Sequence, residues 1–385
     1  MKIVVAIDSF KGSMSAEQAC SAAARGLQKA LPDSSIICMP VADGGEGLIA
    51  TVKSCPTLNE AQLTYVDVTG PYGSKVKAAY LRHGRMAIIE MAQSCGLELT
   101  PIEQRDVRLA TSYGLGELVM HALASGCNHL IIGLGGSATN DAGMGFAQAL
   151  GVDFYNREGG LLPSPARALD MQEVYFVDIS KQTHLLKDVV IEICCDVSNP
   201  LLGSSGATMI YGAQKGATTG VLDELETAMA KYASTVEACV NKQATDTPGA
   251  GAAGGMGAAL IWFTDALLKP GIQVVLDLIQ IDDVLTGSNL VITGEGKIDK
   301  QTAFGKVPVG VAQRAATQGI PVVALAGTLD QRDNPLELPN ILAMSSIIQK
   351  PMQLTEAMAD GEALMEMAAE QLGHTLRVGH LIHAR

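Results

Sequence analysis

KIVVAIDSFKGSMSAEQACSAAARGLQKAL, residues 2–31, decides the fold class. KIVVAI (2–7) is an apolar run of strand length, and Ser15 followed three residues later by Gln18 is a capping box that opens a helix. Ala16, Ala19, Cys20, Ala23 and Leu27 fall on one face of that helix, so the stretch is a β-loop-α unit with DSFKGSM as its loop. The unit recurs. IICMPV (36–41) runs into ADGGEG, HLIIGL (129–134) into GGSATNDAG, and LVIT (290–293) into GEGKID; PVVALAG (321–327) follows a helix expected from near Pro308 to near Gly319. Strands alternating with helices predict an α/β fold with mostly parallel sheets, whose ligands sit at the carboxyl ends of strands. Each of these loops falls at such an end.

A chain of 385 residues exceeds what one core comfortably supports, which predicts two domains or one with a large insertion. VKAAYL (76–81) and MAIIEM (86–91) are short and close together, suggesting a hairpin or a change of sheet and a boundary near residue 70. The turn-rich segment 238–256 is a loop or a second boundary. Forty-one glycines against six phenylalanines and one tryptophan, with 48% hydrophobic and 17% charged residues, describe a globular Ala/Gly-rich chain rather than a disordered one. A net charge of −13 argues against nucleic acid or an anionic membrane as partner, since both need a basic footprint. The apolar run before Asp8 is too short for a signal sequence or a membrane span, so the cytoplasm is the expected location. The eight cysteines form no C-x-x-C pair and lie mostly in apolar runs, the pattern of reduced core thiols rather than of zinc ligands or disulfides. None of the seven histidines, His184 included, has a partner at metal-binding spacing.

Three residue classes could carry chemistry. Asp8, Asp43, Asp196 and Glu295 each stand just after an apolar strand, where a carboxylate can hold Mg²⁺ or take a proton from an attacking hydroxyl; singly, each also reads as a turn or capping residue. Glycine-rich loops at 44–47, 133–143 and 249–259 would let backbone N–H groups approach phosphate, or would serve tight turns and close packing. Ser137 and Thr139 add hydroxyls to the second loop. Lys11, Lys215, Lys297 and Lys306 accompany these loops, and an acidic protein that handles an anion needs such local positive charge. No G-x-S-x-G elbow, Walker loop or protein-kinase signature is present. Gly133, Gly135 and Ala138 do satisfy G-x-G-x-x-A after a strand, with Asp153 twenty residues on, so a dinucleotide site and an NAD(P)-dependent oxidoreductase stand as the alternative. A non-catalytic metabolite sensor is a third reading.

Taken in order, DSFKGS (8–13), VADGGEG (41–47), GLGGSATNDAGMG (133–145), CDVSNPLLG (195–203), GAQKGA (212–217), GAGAAGGMGAAL (249–260), VITGEGKIDKQT (291–302) and GKVPVGVA (305–312) resemble the type-1 glycerate kinase family of bacteria over essentially the whole chain. The resemblance implies ATP-dependent phosphorylation of D-glycerate to 2-phosphoglycerate, within glyoxylate and sugar-acid metabolism. It also implies a Rossmann- or flavodoxin-like domain built from both chain ends, residues 1–70 and 281–385. A second α/β domain, 71–280, would be inserted in it, with the active site in the cleft between them. The chain departs from the family pattern at Ile7 and Ala213, where Pro is usual, and at Lys297, where Arg is usual; lysine keeps the charge but loses the bidentate fork.

Within that reading, in-line transfer of the γ-phosphoryl group requires positioning and charge neutralisation more than covalent chemistry. Gly135, Gly136, Ser137, Thr139, Gly254, Gly255 and Lys215 are expected to hold nucleotide phosphates. Asp43 and Glu295, with Asp8, are expected to hold Mg²⁺ or its waters. Lys11 would stabilise the transferring group, Asp196 would orient or deprotonate the 2-hydroxyl, and Ser9, Lys297 and Asp43 would contact glycerate.

Overall fold

In the computed structural model the described residues are 1–45, 47–182, 185–300, 302–304, 306–330 and 338–383. Glu46 of GGEG, His184, and Gln301 and Gly305 of the last two motifs lie outside them. The chain opens with β1 (Lys2–Ile7), buried from Ile3 onward, and α1 (Ala16–Ala30). The capping box forms as the sequence predicts: the Gln18 amide donates to the Ser15 hydroxyl (3.2 Å) and the Ser15 amide to the Gln18 side chain (2.8 Å). β2 (Ser35–Cys38) pairs in parallel with β1, and the chain stays against β1 beyond its last ladder residue, Met39 N donating to Val5 O (2.8 Å) and Val41 N to Ile7 O (3.2 Å). α2 (Leu48–Ser54) follows.

Then come β3 (Gln62–Thr69), β4 (Lys75–His83), β5 (Met86–Glu90), α3 (Ala92–Cys95), α4 (Tyr113–Ala124), β6 (His129–Gly133) and α5 (Met144–Ala149). They are followed by β7 (Asp153–Tyr155), β8 (Phe176–Asp178), β9 (Val190–Cys194), α6 (Ala207–Tyr211), α7 (Thr219–Val240), α8 (Ala252–Phe263) and β10 (Leu267–Lys269). The chain then returns through α9 (Gly271–Leu278), α10 (Ile281–Leu285), β11 (Leu290–Ile298), α11 (Val307–Thr317), β12 (Val322–Leu329), β13 (Ala343–Ser346), α12 (Leu354–Ala359) and α13 (Gly361–His383).

These elements divide into two compact units, one of Met1–Asp43, Ala50–Asn59 and Ile272–Arg385, the other of Gly44–Ile49 and Glu60–Gly271. The first carries a five-stranded, all-parallel sheet in the order β13-β12-β11-β1-β2, the parallel-sheet unit expected from both chain ends. Its core joins Ile3, Val5 and Ile7 to Leu27, Leu290, Ile292, Leu325 and Met365. α1 and α13 are tied at their surface by Arg25 and Lys29 on Glu366, at 2.7 Å each.

The second unit carries a six-stranded sheet, β10-β9-β6-β5-β4-β3, parallel except where β3, β4 and β5 run antiparallel. β4 and β5 are the hairpin suggested by VKAAYL and MAIIEM, Tyr80 facing Ile89 and His83 facing Met86. Trp262, Phe263, Phe154 and Tyr232 form an aromatic group in its core. Apart from the short segment Gly44–Ile49, which also belongs to the second unit, the divisions fall at 59/60 and 271/272 rather than at 70/71 and 280/281. The reason for the first is β3, which pairs with β4 along all eight of its residues and so belongs with the second sheet. GEGKI also differs from expectation: it is no loop after a strand but the second half of β11, where Glu295 faces Ala326 and Lys297 faces Thr328 across a parallel ladder with β12.

Candidate active site

In the first unit, the strand order β11-β1-β2 brings three carboxylates near one another, Asp8 just past β1, Glu295 within the second half of β11, and Asp43 in the segment after β2. Asp8 directly follows β1, its amide donating to Gly294 O (3.0 Å), one residue before Glu295. Asp43 stands two residues beyond Val41, the last residue held against β1. The Ser9 amide donates to Asp8 Oδ1 (2.6 Å) and the Ser9 hydroxyl lies 3.3 Å from the same oxygen. Burial first, then the charges of Asp43 and Glu295, push Asp8 up to about 8 against the hydrogen bonds from Ser9. Buried Glu295 is likewise raised by burial, opposed by the Thr302 hydroxyl (2.6 Å) and by Lys306 Nζ (3.7 Å). The group is an acidic corner in which proton or cation uptake relieves repulsion.

Lys297, two residues on from Glu295 in β11, is half exposed and paired with Asp299 (3.0 Å) and Asp330 (3.4 Å). It is therefore already neutralised locally. Lys11 is exposed in the tight loop closed by Phe10 N to Met14 O (2.9 Å) and Met14 N to Phe10 O (3.0 Å), and its ammonium has no hydrogen-bond or ion-pair partner among the described residues.

In the second unit, β6 ends at Gly133, where a Cβ would run into the Gly44 carbonyl; the backbone at Gly44 and Gly45 thus passes the end of β6 at a separation only glycine permits. Of the loop that follows, Gly135 and Gly136 reach solvent while Ser137, Thr139, Asn140 and Asp141 are buried. Backbone bonds moor the loop to α3 and the turn after it: Leu97 N to Gly136 O (2.8 Å) and Ala138 N to Cys95 O (2.8 Å). Lys215, 2% exposed, donates to Ser137 Oγ (3.0 Å) and Thr139 O (2.7 Å). Burial pushes its ammonium down to about 7, partly offset by Asp141. The Thr139 hydroxyl and the Asn140 side-chain oxygen have no hydrogen-bond partner among the described residues.

Asp141 is the hub of the buried part. Its Oδ2 accepts from Ser112 N (2.8 Å), Ser112 Oγ (2.7 Å) and Gly145 N (3.2 Å), and its Oδ1 from Gly143 N (3.3 Å). The Ser112 hydroxyl in turn accepts from Phe146 N (2.9 Å), so one carboxylate joins the starts of α4 and α5. Gly254 and Gly255, expected at phosphate, are buried with φ of 72° and 89°; a Cβ at 254 would overlap the Thr139 carbonyl, and Gly254 O accepts from Ala142 N (3.1 Å). Packing of α8 under the loop accounts for both glycines.

Asp196 is exposed two residues past β9, and its Oδ1 accepts from Gly271 N (2.8 Å) at the start of α9. Glu90, at the end of β5, is buried and accepts from Ile49 N (2.6 Å) and Gln93 Nε2 (3.3 Å). The strand-end rule that marks Asp8 marks Glu90 equally, since both close an apolar run. Asp141 lies within the quoted loop, but nothing in its spacing separates it from its polar neighbours; Ser112 and Thr302 carry no local signal, being defined only by tertiary partners. The dinucleotide alternative fails on geometry. The residues after Gly133 open no helix until Met144, and Asp153 lies on β7, paired with Lys181 (2.6 Å).

The sequence profile of the glycerate kinase family matches residues 3–377. Glycerate kinase of Halalkalibacterium halodurans is 42% identical over 96% of this chain and 97% of its own length. Glycerate 2-kinase of Escherichia coli K12 is 41% identical over 98% and 99%. A crystal structure from Salmonella typhimurium LT2, assigned as glycerate kinase 2, superposes with a TM-score of 0.87 at 40% identity, covering 99% of each chain.

Proposed function

The chain belongs to the glycerate kinase family, and on that premise we propose that it transfers the γ-phosphoryl group of ATP to the 2-hydroxyl of D-glycerate, giving ADP and 2-phosphoglycerate. The single observation that carries the chemistry is the group of interacting carboxylates Asp8, Asp43 and Glu295 on the neighbouring β1, β2 and β11 segments, with exposed Lys11 in the loop after β1. A sensor could dispense with such a group, because three neighbouring anions are costly unless a cation or proton meets them.

Mg²⁺ fits this corner in the limited way typical of the ion. Among the described residues no group of three ligating side chains is arranged to hold a metal alone, yet Mg²⁺ is usually bound by one or two carboxylates together with substrate phosphates. Asp43 and Glu295 would hold it, and bound there it would supply charge neutralisation to the phosphate oxygens. Gly135 and Gly136, the part of the loop that reaches solvent, would hold nucleotide phosphate through their backbone amides, and buried Ser137, Thr139, Gly254 and Gly255 would shape the loop. Lys11 would meet the transferring phosphoryl group. Ser9 and Lys297 would contact the glycerate carboxylate, Lys297 exchanging one of its two aspartate partners. Asp196 would take the proton of the 2-hydroxyl as its oxygen bonds to phosphorus and the bond from phosphorus to the departing ADP oxygen breaks.

No helix among the described residues is long and apolar enough to cross a membrane. The setting we assign is the cytoplasm, with a small acid and a nucleotide as ligands and no nucleic acid, in keeping with the net charge of −13. Mixing the protein with Mg-ATP and D-glycerate, and resolving 2- from 3-phosphoglycerate, tests the reading: ADP release with 2-phosphoglycerate is expected, and 3-phosphoglycerate or no ADP would sink it. Asp196→Asn is expected to lower kcat by about 10²- to 10⁴-fold; a change confined to KM would remove Asp196 as the base.

A further inference from the structure

Lys215 does not have the geometry of a phosphate contact. It sits in the turn between α6 and α7, fixed by Lys215 N to Gly212 O (3.0 Å) and Gly216 N to Ala213 O (3.1 Å), with Gly216 left-handed at φ 98°. A phosphate-binding lysine reaches solvent with its ammonium free to turn toward the ligand. This one is 2% exposed, and two of its three N–H groups are spent on Ser137 Oγ and Thr139 O. Only Gly135 and Gly136 of the loop reach solvent, and they lie directly before the gripped residues. On the far side Asp141 fixes the loop's exit into α5. The loop is thus held along its buried half by Lys215 at one end and Asp141 at the other, and on its α3 side by Leu97 N to Gly136 O and Ala138 N to Cys95 O, which leaves the amides of Gly135 and Gly136 to face a ligand.

We propose that Lys215 is a positioning residue for the nucleotide: it grips the loop from its buried side, through Ser137 and the Thr139 carbonyl, and so sets where Gly135 and Gly136 present their amides. The proposal rests on the reading of this loop as the phosphate-binding one. Burial of an ammonium is tolerated here because both acceptors and the nearby Asp141 compensate it, and the cost of removing it falls on the loop.

The test is a double-mutant cycle on the full chain, with kcat and the KM for ATP and for glycerate measured separately and the melting temperature recorded. Lys215→Met is expected to raise the KM for ATP by about tenfold or more, as the loss of buried hydrogen bonds would, with kcat and the KM for glycerate nearly unchanged. Ser137→Ala is expected to raise the KM for ATP less, and the double variant is expected to be no worse than Lys215→Met, because both act through one linkage. If the two effects instead multiply, or if Ser137→Ala has none, Lys215 touches the nucleotide itself and the proposal falls. A lowered melting temperature with unchanged KM for ATP would likewise overturn it, leaving a purely structural lysine. If both variants raise only the KM for glycerate, the assignment of the loop to nucleotide fails, and the proposal with it. Should Lys215→Met not fold, the same cycle runs on Lys215→Gln, which keeps one donor for the Thr139 carbonyl.

Discussion

Lys215 also leaves a pH signature. In the unfolded chain its ammonium loses a proton near 10.5, in the folded protein near 7, so between those values the unfolded state binds more protons and stability rises with pH. Below about 7 both states are charged and the penalty of burial is present in full. Relative to Lys215→Met, the unaltered protein is therefore expected to gain stability from about pH 7 to about pH 10, with a slope no steeper than about 1.4 kcal/mol per unit. Urea unfolding of both proteins at several pH values measures it; a flat difference would mean that the ammonium stays charged throughout. Lys11 makes a contrasting case, exposed and without a described partner. Lys11→Ala is expected to lower kcat/KM by about 10²-fold or more, if it meets developing charge, while leaving the melting temperature unmoved. Asp8, Asp43 and Glu295 were legible because each closes an apolar run. The clamp was not: Asp141 and Ser112 are 29 residues apart and Lys215 and Ser137 are 78 apart, a juxtaposition that only the packing of α4, α5 and the turn after α6 creates.

At the scale of elements, β11 shows how tertiary pairing overrides local signals. G-E-G interrupts an apolar run and reads as a turn, since glycine is a poor strand former. Parallel pairing from Val291↔Val322 to Ile298↔Leu329 carries the strand straight through it. The consequence for the site is orientation: residues two apart share a face of a strand, so Glu295 and Lys297 are directed by the sheet rather than by a loop. α1 is the opposite case, set by its own sequence. Ser15→Ala removes one half of the capping box and is expected to cost about 1 kcal/mol, visible as a fall in melting temperature of about 2–4 °C. Kinetic constants should not change, because the cap lies on the exposed side of the loop's end.

At the scale of the molecule, the two units have separate cores, and the chain's single tryptophan, Trp262, is buried in the second. Its fluorescence reports one unit, whereas far-ultraviolet circular dichroism reports both. Leu27→Ala in the first core is expected to cost about 2–5 kcal/mol. The dichroism midpoint should then fall further than the fluorescence midpoint; equal shifts would make the two units one cooperative block. The short spacing of VKAAYL and MAIIEM suggests a hairpin or a change of sheet, and the hairpin forms within one sheet, but β3 before it escapes that reading. QLTYVDVT alternates as a half-exposed strand does and carries nothing that states which sheet it joins.

β1 ends at Ile7 and its partner β11 begins at Leu290. On a ribosome adding about 5–20 residues per second, the apolar face of β1 waits roughly a quarter of a minute to a minute for its neighbour. During that interval only β2 and α1 can shelter it, while all six strands of the other sheet have already emerged. The nascent chain is thus expected to mature from its middle outward, and its earliest-made strand to be its last completed and the part most in need of a chaperone.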